Sequence, residues 1–193
     1  MMLRRTLHSL RRPAIAASSR GLCVSPPHIV EHDGTRAQRS LILLKPDAVE
    51  RRLVGRLLQR FEERGLALVG MRQRIASREL AEAHYEEHRG KVFFERACVF
   101  ITSGPLISVC VEGRGAIGVT RSLVGPTDPV DAPPGTIRGD LATHWRRNLV
   151  HASDSEESAA REIGLWFRDD ELMPAASALD PWLYETPQCP TTF

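Results

Sequence analysis

The chain has 193 residues, of which 42% are hydrophobic and 26% are charged, a composition typical of one soluble globular domain with some length to spare. No apolar run approaches the roughly 18 residues that a membrane-spanning helix needs. The net charge is +2, but residues 1–30 hold five arginines and no acid, so the remaining 21 basic and 24 acidic residues sum to −3. This mildly acidic remainder disfavours membrane or nucleic-acid binding through bulk charge.

The four cysteines predict neither a metal site nor a disulfide scaffold. Cys23, Cys98, Cys110 and Cys189 have no metal-ligand spacing and form no CxxC pair. Four cysteines in a chain of this length favour a reducing or thiol-tolerant compartment.

The N-terminal segment 1–32 has the composition of a targeting sequence. On a helical wheel Leu3, Leu7 and Leu10 share one narrow face, while the arginines flank it or point away. An amphipathic, arginine-rich, serine-containing and acid-free segment is typical of a cleavable mitochondrial transit peptide. A disordered basic tail is the alternative. We therefore predict a mitochondrial protein, in the matrix or the intermembrane space, and exclude this segment from the fold.

Beyond residue 38 the chain alternates strand and helix patterns. The predicted strands are 40–44, 66–75, 106–111 and 149–151. The predicted helices are 54–61, 77–88, 93–101, 114–124 and 154–167, the last with Asp154 as N-cap and Glu157 three residues later. Residues 125–139 are rich in proline and glycine and form a long ordered loop of the kind that tends to carry function. So few strands favour an α/β sandwich over a doubly wound sheet.

One glycine motif is misleading. Residues 113–118 match GxGxxG between a strand and a helix, but the acid expected about 20 residues on is missing. Only about 75 residues follow, too few for the second half of a dinucleotide fold. We interpret the motif as a glycine turn that enters a helix. The chain also has no Walker sequence and no Gly-x-Ser-x-Gly.

A histidine and a glutamate form the candidate catalytic pair. His151 lies between a short apolar strand and the start of a capped helix, where its side chain is held in place. A neutral imidazole can act as a nucleophile when one nitrogen is free and a partner orients the other. Glu162 lies within about 40–60° of the buried face of its helix, where a carboxylate must be paired or functional.

Three cations near the loop match the needs of a phosphoryl group. Lys45 ends the first strand, Arg121 lies on the helix before the loop, and Arg138 follows the loop prolines. Arginine offers planar bidentate pairing to phosphate oxygens. Each of these residues could equally be a solvated surface charge, because their spacing does not show that they meet in space.

Four segments together resemble the nucleoside diphosphate kinase family. They are 45–49 (KPDAV), 103–105 (SGP), 134–140 (PGTIRGD) and 148–155, around His151. The resemblance extends from about residue 39 to residue 185, so we predict a catalytic domain over 38–185 and a flexible tail over 186–193. It implies a ferredoxin-like α/β sandwich, in which helices cover a four-stranded antiparallel sheet. It also implies ping-pong transfer of the γ-phosphoryl group of a nucleoside triphosphate, mainly ATP, to nucleoside diphosphates.

The resemblance also assigns a role to each site residue. His151 would form a phosphohistidine at Nδ1, Glu162 would orient its ring, and Ser153 would support Glu162. The nucleotide contacts would be Lys45 and Asn148 to the sugar, Arg121, Thr127 and Arg138 to the phosphates, Tyr85 beside His151, and Phe93 against the base. Mg²⁺ would bridge the phosphates with no direct protein ligand, and Asp154 would be at most a water-mediated neighbour. Stacking on the base rather than reading its edge would suit a broad range of bases.

Some positions depart from the family pattern. Ala48 and Ala152 replace glycines, and Leu141 replaces an aromatic residue. Trp145 stands where the family has a small aliphatic residue facing Phe93, and we predict that it forms a second aromatic wall of the base cleft. None of these changes removes a residue needed for phosphoryl transfer.

The resemblance implies a homo-oligomer, usually a hexamer, with the loop around Pro129 at subunit contacts. Two alternatives remain open: a non-catalytic scaffold of the same fold, and a second role in which Arg89 and Lys91 bind membrane or nucleic acid. The charge balance does not support the second of these.

Overall fold

The structure is a computed structural model that describes residues 31–32, 35–173 and 183, with side chains from residue 38 onward. All but the last two residues of the predicted transit peptide lie outside the described residues, as does the predicted tail 186–193. Cys23 and Cys189 also lie outside them. Cys98 and Cys110 are buried free thiols, as expected for a chain without a disulfide scaffold.

The centre of the fold is an antiparallel sheet. Its strands are β1 (Glu31–His32), β2 (Thr35–Leu44), β3 (Ala67–Arg74), β4 (Leu106–Arg114) and β5 (Val150–Ala152). Four of them follow the order β5–β2–β4–β3, and the two-residue β1 pairs with the start of β2. The predicted four-stranded antiparallel sheet is thus confirmed, with β2 and β4 longer than the sequence indicated.

Helices cover both faces of the sheet. They are α1 (Pro46–Glu50), α2 (Val54–Glu62), α3 (Arg78–His84), α4 (Phe94–Ile101), α5 (Ala116–Val124), α6 (Ile137–Leu141) and α7 (Glu156–Trp166). Short 3-10 helices occupy Glu86–His88, Pro129–Asp131 and Asp169–Glu171. The ferredoxin-like α/β sandwich is confirmed.

The alternation of side chains along β2 divides the core into two clusters. Ile42 and Leu44 pack into the first core cluster, with buried residues of α2, α5 and α6. Leu41 and Leu43 pack into the second core cluster, with buried residues of α3, α4 and α7. An unbroken apolar run therefore marks a strand that is covered on both faces.

The helix signals in the sequence explain most of the helix boundaries. In α2 the buried Leu57 and Phe61 are four residues apart on one face. Ser77 caps α3 by accepting a hydrogen bond from the backbone N–H of Leu80. Pro46 takes the first position of α1, where its missing N–H costs nothing, so the predicted turn after Lys45 is a short helix.

The helix predicted to run to residue 88 ends at His84 and is followed by a 3-10 turn, and the strand predicted over 149–151 is found at 150–152. Two predicted helix starts were also wrong. The helix predicted from residue 114 begins at Ala116, because β4 continues to Arg114 and Gly115 turns the chain with φ +60°. The N-cap of α7 is Ser155 rather than Asp154, since the Ser155 hydroxyl accepts from the backbone N–H of Ser158. The Asp154 carboxylate is therefore not used as the cap.

The long loop contains helical structure. The predicted ordered segment 125–139 includes the 3-10 turn 129–131 and the first three residues of α6. Thr136 caps α6 by accepting from the backbone N–H of Gly139. None of the described helices has the length and apolar character needed to cross a membrane.

Candidate active site

A cleft of about 960 Å³ opens beside β5 and the start of α7. Every predicted site residue except Ser153 lines it: Lys45, Tyr85, Phe93, Arg121, Thr127, Arg138, Asn148, His151, Asp154 and Glu162. Ser153 is fully buried beneath the cleft. The fold thus assembles the cations that sequence spacing could not bring together.

The register of β5 sets the direction of the His151 side chain. His151 lies opposite Leu43 of β2, whose side chain belongs to the second core cluster, on the same side as α7. Its neighbours Val150 and Ala152 pack into the first core cluster. Because successive side chains of a strand alternate, His151 points toward α7 and keeps 26% of its side chain exposed to the cleft.

The buried carboxylate of Glu162 holds the histidine ring. His151 Nε2 lies 3.0 Å from both Glu162 oxygens. The Ser153 hydroxyl donates to Glu162 Oε2 at 2.6 Å and accepts from the backbone N–H of Leu41 at 3.1 Å. Burial by itself raises the pKa of Glu162, but the hydrogen bonds and charges around it, foremost His151, bring that pKa below its ordinary value.

This pairing determines which nitrogen of His151 is free. An ionised carboxylate can only accept hydrogen bonds, so Nε2 carries the proton. In the neutral ring Nδ1 then has an exposed lone pair, and it has no hydrogen-bond partner among the described residues. The arrangement is that of a nucleophilic imidazole oriented by a carboxylate.

A second buried network holds Lys45 at the end of β2. The Lys45 ammonium donates to Asn148 Oδ1, and Asn148 Nδ2 donates to the carbonyl of Thr127 at 2.8 Å. The backbone N–H of Lys45 donates to the carbonyl of Leu149, whose own N–H donates to Asp47 Oδ2. Leu149 adopts φ +67°, a backbone conformation that is uncommon for residues other than glycine. Burial lowers the pKa of Lys45 to about 8.

Arg138 makes more backbone contacts than the sequence suggested. Its guanidinium donates to the carbonyls of Gly125, Asn148 and Val150, so it ties the long loop to β5. Burial, with the nearby charge of Arg121, lowers the pKa of Arg138 to about 10. Arg121 is itself exposed to the cleft and makes no hydrogen bond or ion pair within the described part of the chain. Arg121 is therefore available to a ligand.

Two large aromatic side chains stand at the outer part of the cleft. Phe93 is 41% exposed and Trp145 is 43% exposed. Both side chains line the cleft, and no ring contact between them is found among the described residues. Trp145 is flanked by the stacked ring of His144 and by the Arg146 guanidinium, 4.5 Å from its centroid. Large apolar side chains left this exposed in a cleft are typical of a binding site.

The ring that contacts His151 belongs to His84, which the sequence analysis did not single out. The two ring centroids lie 4.5 Å apart at an interplanar angle of 83°. The ring of Tyr85 also contacts His84, with the two ring centroids 4.7 Å apart. The sequence carries no signal for this contact, because α3 and β5 are far apart along the chain.

Two acidic groups at the site bear on metal binding. His84, His151 and Glu162 have potential ligand atoms within 4.8 Å of one another. Within this cluster, His151 Nε2 is hydrogen-bonded to Glu162, and His84 Nδ1 accepts from Trp166. Asp154 is exposed at the cleft, and a hydrogen bond from Ser158 lowers the pKa of its carboxyl. It is an ionised oxygen donor with room for a hydrated cation in front of it.

Fold and site together are those of a phosphotransferase-like enzyme, with a carboxylate-oriented histidine in a cationic, aromatic-lined cleft. Comparison with known proteins agrees. Residues 38–172 match the family model "Nucleoside diphosphate kinase". A nucleoside diphosphate kinase of Thermomicrobium roseum is 54% identical over 146 residues, 76% of this chain and 98% of that protein. One from Thermosynechococcus vestitus is 51% identical over 148 residues, 77% of this chain and 99% of that protein.

Solved structures lead to the same family. A halophilic nucleoside diphosphate kinase from Halobacterium salinarum in complex with CDP superposes with a TM-score of 0.75 at 43% identity, over 77% of this chain and 99% of that one. A family protein from Babesia bovis superposes with a TM-score of 0.74 at 42% identity, over 76% of this chain and 99% of that one. The chain belongs to the nucleoside diphosphate kinase family and is an enzyme that transfers phosphoryl groups between nucleotides. The scaffold alternative is set aside.

Proposed function

We propose that His151 carries the phosphoryl group between the two nucleotides. The observation that supports this most directly is the pair of 3.0 Å contacts from Nε2 to Glu162, which leaves Nδ1 unprotonated and open to the cleft. Nδ1 attacks the γ-phosphorus, a nitrogen–phosphorus bond forms, and the bond from phosphorus to the β,γ-bridging oxygen breaks. The Nε2 proton stays in its hydrogen bond to Glu162, which stabilises the positive charge on the ring.

The second half of the reaction reverses the first. After the first nucleoside diphosphate leaves, a terminal β-phosphate oxygen of another attacks the phosphohistidine. The nitrogen–phosphorus bond breaks, and His151 returns to its neutral form. Ser153 acts in both halves by holding Glu162 Oε2 at 2.6 Å.

We propose that the cleft binds nucleotide with its phosphates inward and its base outward. Arg121, Thr127 and Arg138 contact the phosphates, because spread-out negative charge needs several positioned donors. Lys45 and Asn148, already joined by a hydrogen bond, contact the sugar hydroxyls. Tyr85 closes the cleft near His151. The relative from Halobacterium salinarum holds CDP, which supports a nucleoside diphosphate as ligand here.

At the outer end, Phe93 and Trp145 provide the surfaces for the base. Both side chains are half-buried in the same cleft, and no direct ring contact closes the gap between them. Stacking on aromatic surfaces tolerates every base, since each has a π-face. ATP is the main phosphoryl donor in this proposal because of its abundance, not because of any base-reading contact.

Mg²⁺ fits the site as an ion that would enter bound to the phosphates of the nucleotide rather than to the protein. Among the described acids that line the cleft, Asp154 is the one without an ion pair, since Glu87, Glu95 and Glu162 are each paired with a basic side chain. Mg²⁺ keeps several waters and prefers phosphate oxygens, so Asp154 would hold it through water. When bound, the ion would offset the charge of the β- and γ-phosphates. Arg121 and Arg138 offset that charge from the protein side.

Labelling with γ-labelled ATP tests the proposal. The wild-type protein should acquire an acid-labile, alkali-stable label that moves to added GDP. His151→Ala should acquire none, whereas His144→Gln, an exposed histidine near the same cleft, should keep the label. A His151→Ala protein that is folded and still labelled would reject His151 as the carrier.

We also propose that the chain assembles into a homo-oligomer, namely a hexamer. The 3-10 turn 129–131 presents Val130 with 86% of its surface exposed beside the buried Pro129. An apolar side chain at the tip of an ordered loop suits a subunit contact. Light scattering on the wild type should give six chains per particle, and Val130→Asp should give fewer. A wild type that is monomeric at micromolar concentration rejects the hexamer.

The mitochondrial location is proposed from the composition of residues 1–32 alone. A fluorescent protein fused behind these residues should enter mitochondria. The same fusion with Arg4, Arg5, Arg11 and Arg12 changed to glutamine should stay outside. Equal distribution of the two fusions would favour the basic-tail alternative.

A further inference from the structure

A buried histidine lies directly beneath the proposed nucleophile. His84, at the end of α3, is only 3% exposed, and its ring meets that of His151 edge to face at 4.5 Å. Its Nδ1 is 3.9 Å from Glu162 Oε1, beyond a hydrogen bond but close enough for a charge to matter. His84 is thus the one imidazole besides His151, among the described residues, that could compete for this carboxylate.

A hydrogen bond from Trp166 determines the protonation state of His84. The indole Nε1–H donates to His84 Nδ1 at 3.2 Å. Because an indole nitrogen can only donate, Nδ1 must be the unprotonated nitrogen. The ring is therefore neutral, with its proton on Nε2. That nitrogen is buried and has no hydrogen-bond partner among the described residues.

The surroundings of His84 also oppose a positive charge. Burial lowers the pKa of His84 well below its ordinary value, and the neighbouring His151 lowers it further. The other groups that face the ring are Glu162, which raises that pKa, and Arg161 and His88, which lower it. Tyr85 contacts the ring edge and is itself held neutral, because burial raises its pKa.

We infer that His84 and Trp166 are positioning residues: Trp166 keeps His84 neutral, so that the charge of Glu162 serves His151 alone. If His84 were protonated, its Nδ1–H would face the indole N–H of Trp166. Alternatively, the ring would turn toward Glu162 and share the negative charge of that carboxylate with His151. Either change would loosen the hydrogen bond that presents His151 Nδ1 to the phosphate. The inference rests on the proposed role of His151.

Four proteins test it: wild type, Trp166→Phe, His84→Phe and the double variant, each assayed for kcat and KM from pH 5.5 to pH 8.5. In Trp166→Phe, His84 loses the donor that excludes its Nδ1 proton. Burial and the neighbouring charges still oppose a proton on His84, but the indole N–H no longer does, so kcat relative to wild type should fall by at least about twofold between pH 8 and pH 5.5. The KM for nucleotide should change little, because both side chains are almost completely buried.

The double variant separates charge from packing. His84→Phe keeps an aromatic ring under His151 but removes the titratable group, so this change should abolish the extra acid sensitivity of Trp166→Phe. His84→Phe alone should alter the level of kcat but not its pH dependence. The inference is overturned by a Trp166→Phe profile parallel to the wild type, or by a double variant that keeps the acid sensitivity.

A direct measurement on the unaltered protein covers the case in which Trp166→Phe fails to fold. Nitrogen-15 NMR of the histidine-labelled wild type should show His84 neutral and protonated on Nε2 from pH 6 to pH 8. A charged His84, or a proton on Nδ1, would overturn the inference. Failure of the proposed function looks different, since it would appear as unlabelled His151 whatever the state of His84.

Discussion

Both carboxylate oxygens of Glu162 lie 3.0 Å from His151 Nε2 and accept its N–H, although Glu162 belongs to helix α7 and His151 to strand β5. The carboxylate lies in the second turn of α7 and the imidazole in a three-residue strand. A buried charge tolerates such a place only with partners, and His151 and Ser153 provide them. The nucleophile is therefore oriented before any substrate arrives.

Replacing Glu162 by glutamine should slow the reaction strongly. The amide is neutral, so it no longer stabilises the positive charge that forms on the ring of His151. We expect kcat to fall by roughly 10²-fold, with little change in nucleotide KM. Single-turnover labelling measures this directly. Glu157→Gln, at an exposed position on the same helix, should behave as wild type, and equal rates for the two variants would contradict the role of Glu162.

Replacing Ser153 by alanine should cost stability as well as rate. The change leaves the backbone N–H of Leu41 buried without its acceptor and removes one of the two hydrogen bonds to Glu162 Oε2, leaving only the one from His151. We expect the free energy of unfolding to fall by about 1–3 kcal/mol, as measured by urea denaturation. Ser122→Ala, at an exposed site on α5, is the matched control. A Ser153→Ala protein as stable as this control would show that the hydroxyl network is dispensable.

The low pKa of Lys45 predicts an alkaline limit to activity. Its folded pKa of about 8 means that the ammonium is present below that pH and lost above it. Because kcat/KM reports the free enzyme, it should fall by up to about tenfold per pH unit above pH 8. Lys45→Arg keeps its charge and should extend the plateau toward pH 10. An identical alkaline limb in both proteins would assign it to another group.

Removing the guanidinium of Arg138 should destabilise the fold apart from any loss of binding. Arg138→Met removes the guanidinium donor from the carbonyls of Gly125, Asn148 and Val150, of which Asn148 keeps a bond from the backbone N–H of Val150. We expect a loss of about 2–4 kcal/mol in the free energy of unfolding. Arg51→Met, which removes one bond from an exposed arginine to the Leu141 carbonyl, should cost about 0.5 kcal/mol or less. Similar losses in the two variants would refute the structural role.

Trp145 should contribute to nucleotide affinity if it forms a wall of the base site. Trp145→Val removes the stacking surface opposite Phe93, and stacking contributes about 1–3 kcal/mol per base. The Kd for nucleoside diphosphate should therefore rise about tenfold or more, whereas Trp145→Phe should retain most of the affinity. A valine variant that binds nucleotide as tightly as the wild type would reject the second wall.

Local patterns in the chain were enough to locate most elements and the central pair. The apolar run at 41–44, the spacing of Leu57 and Phe61, and the capping Ser77 each depend on neighbours a few residues away. The position of Glu162 near the buried face of α7 follows from helical periodicity in the same way. Short-range geometry is fixed by the covalent chain, so a linear pattern can express it.

Other features arise from contacts between residues far apart in the chain. The placing of His84 beneath His151 depends on how α3 packs beside β5, and the use of Arg138 as a clamp on three carbonyls depends on where the long loop folds back. Ser155 and Asp154 are both residue types that cap helices, and the structure uses Ser155, which has the extended backbone conformation of an N-cap. These outcomes follow from packing of whole elements, where burial and hydrogen-bond satisfaction override local preference.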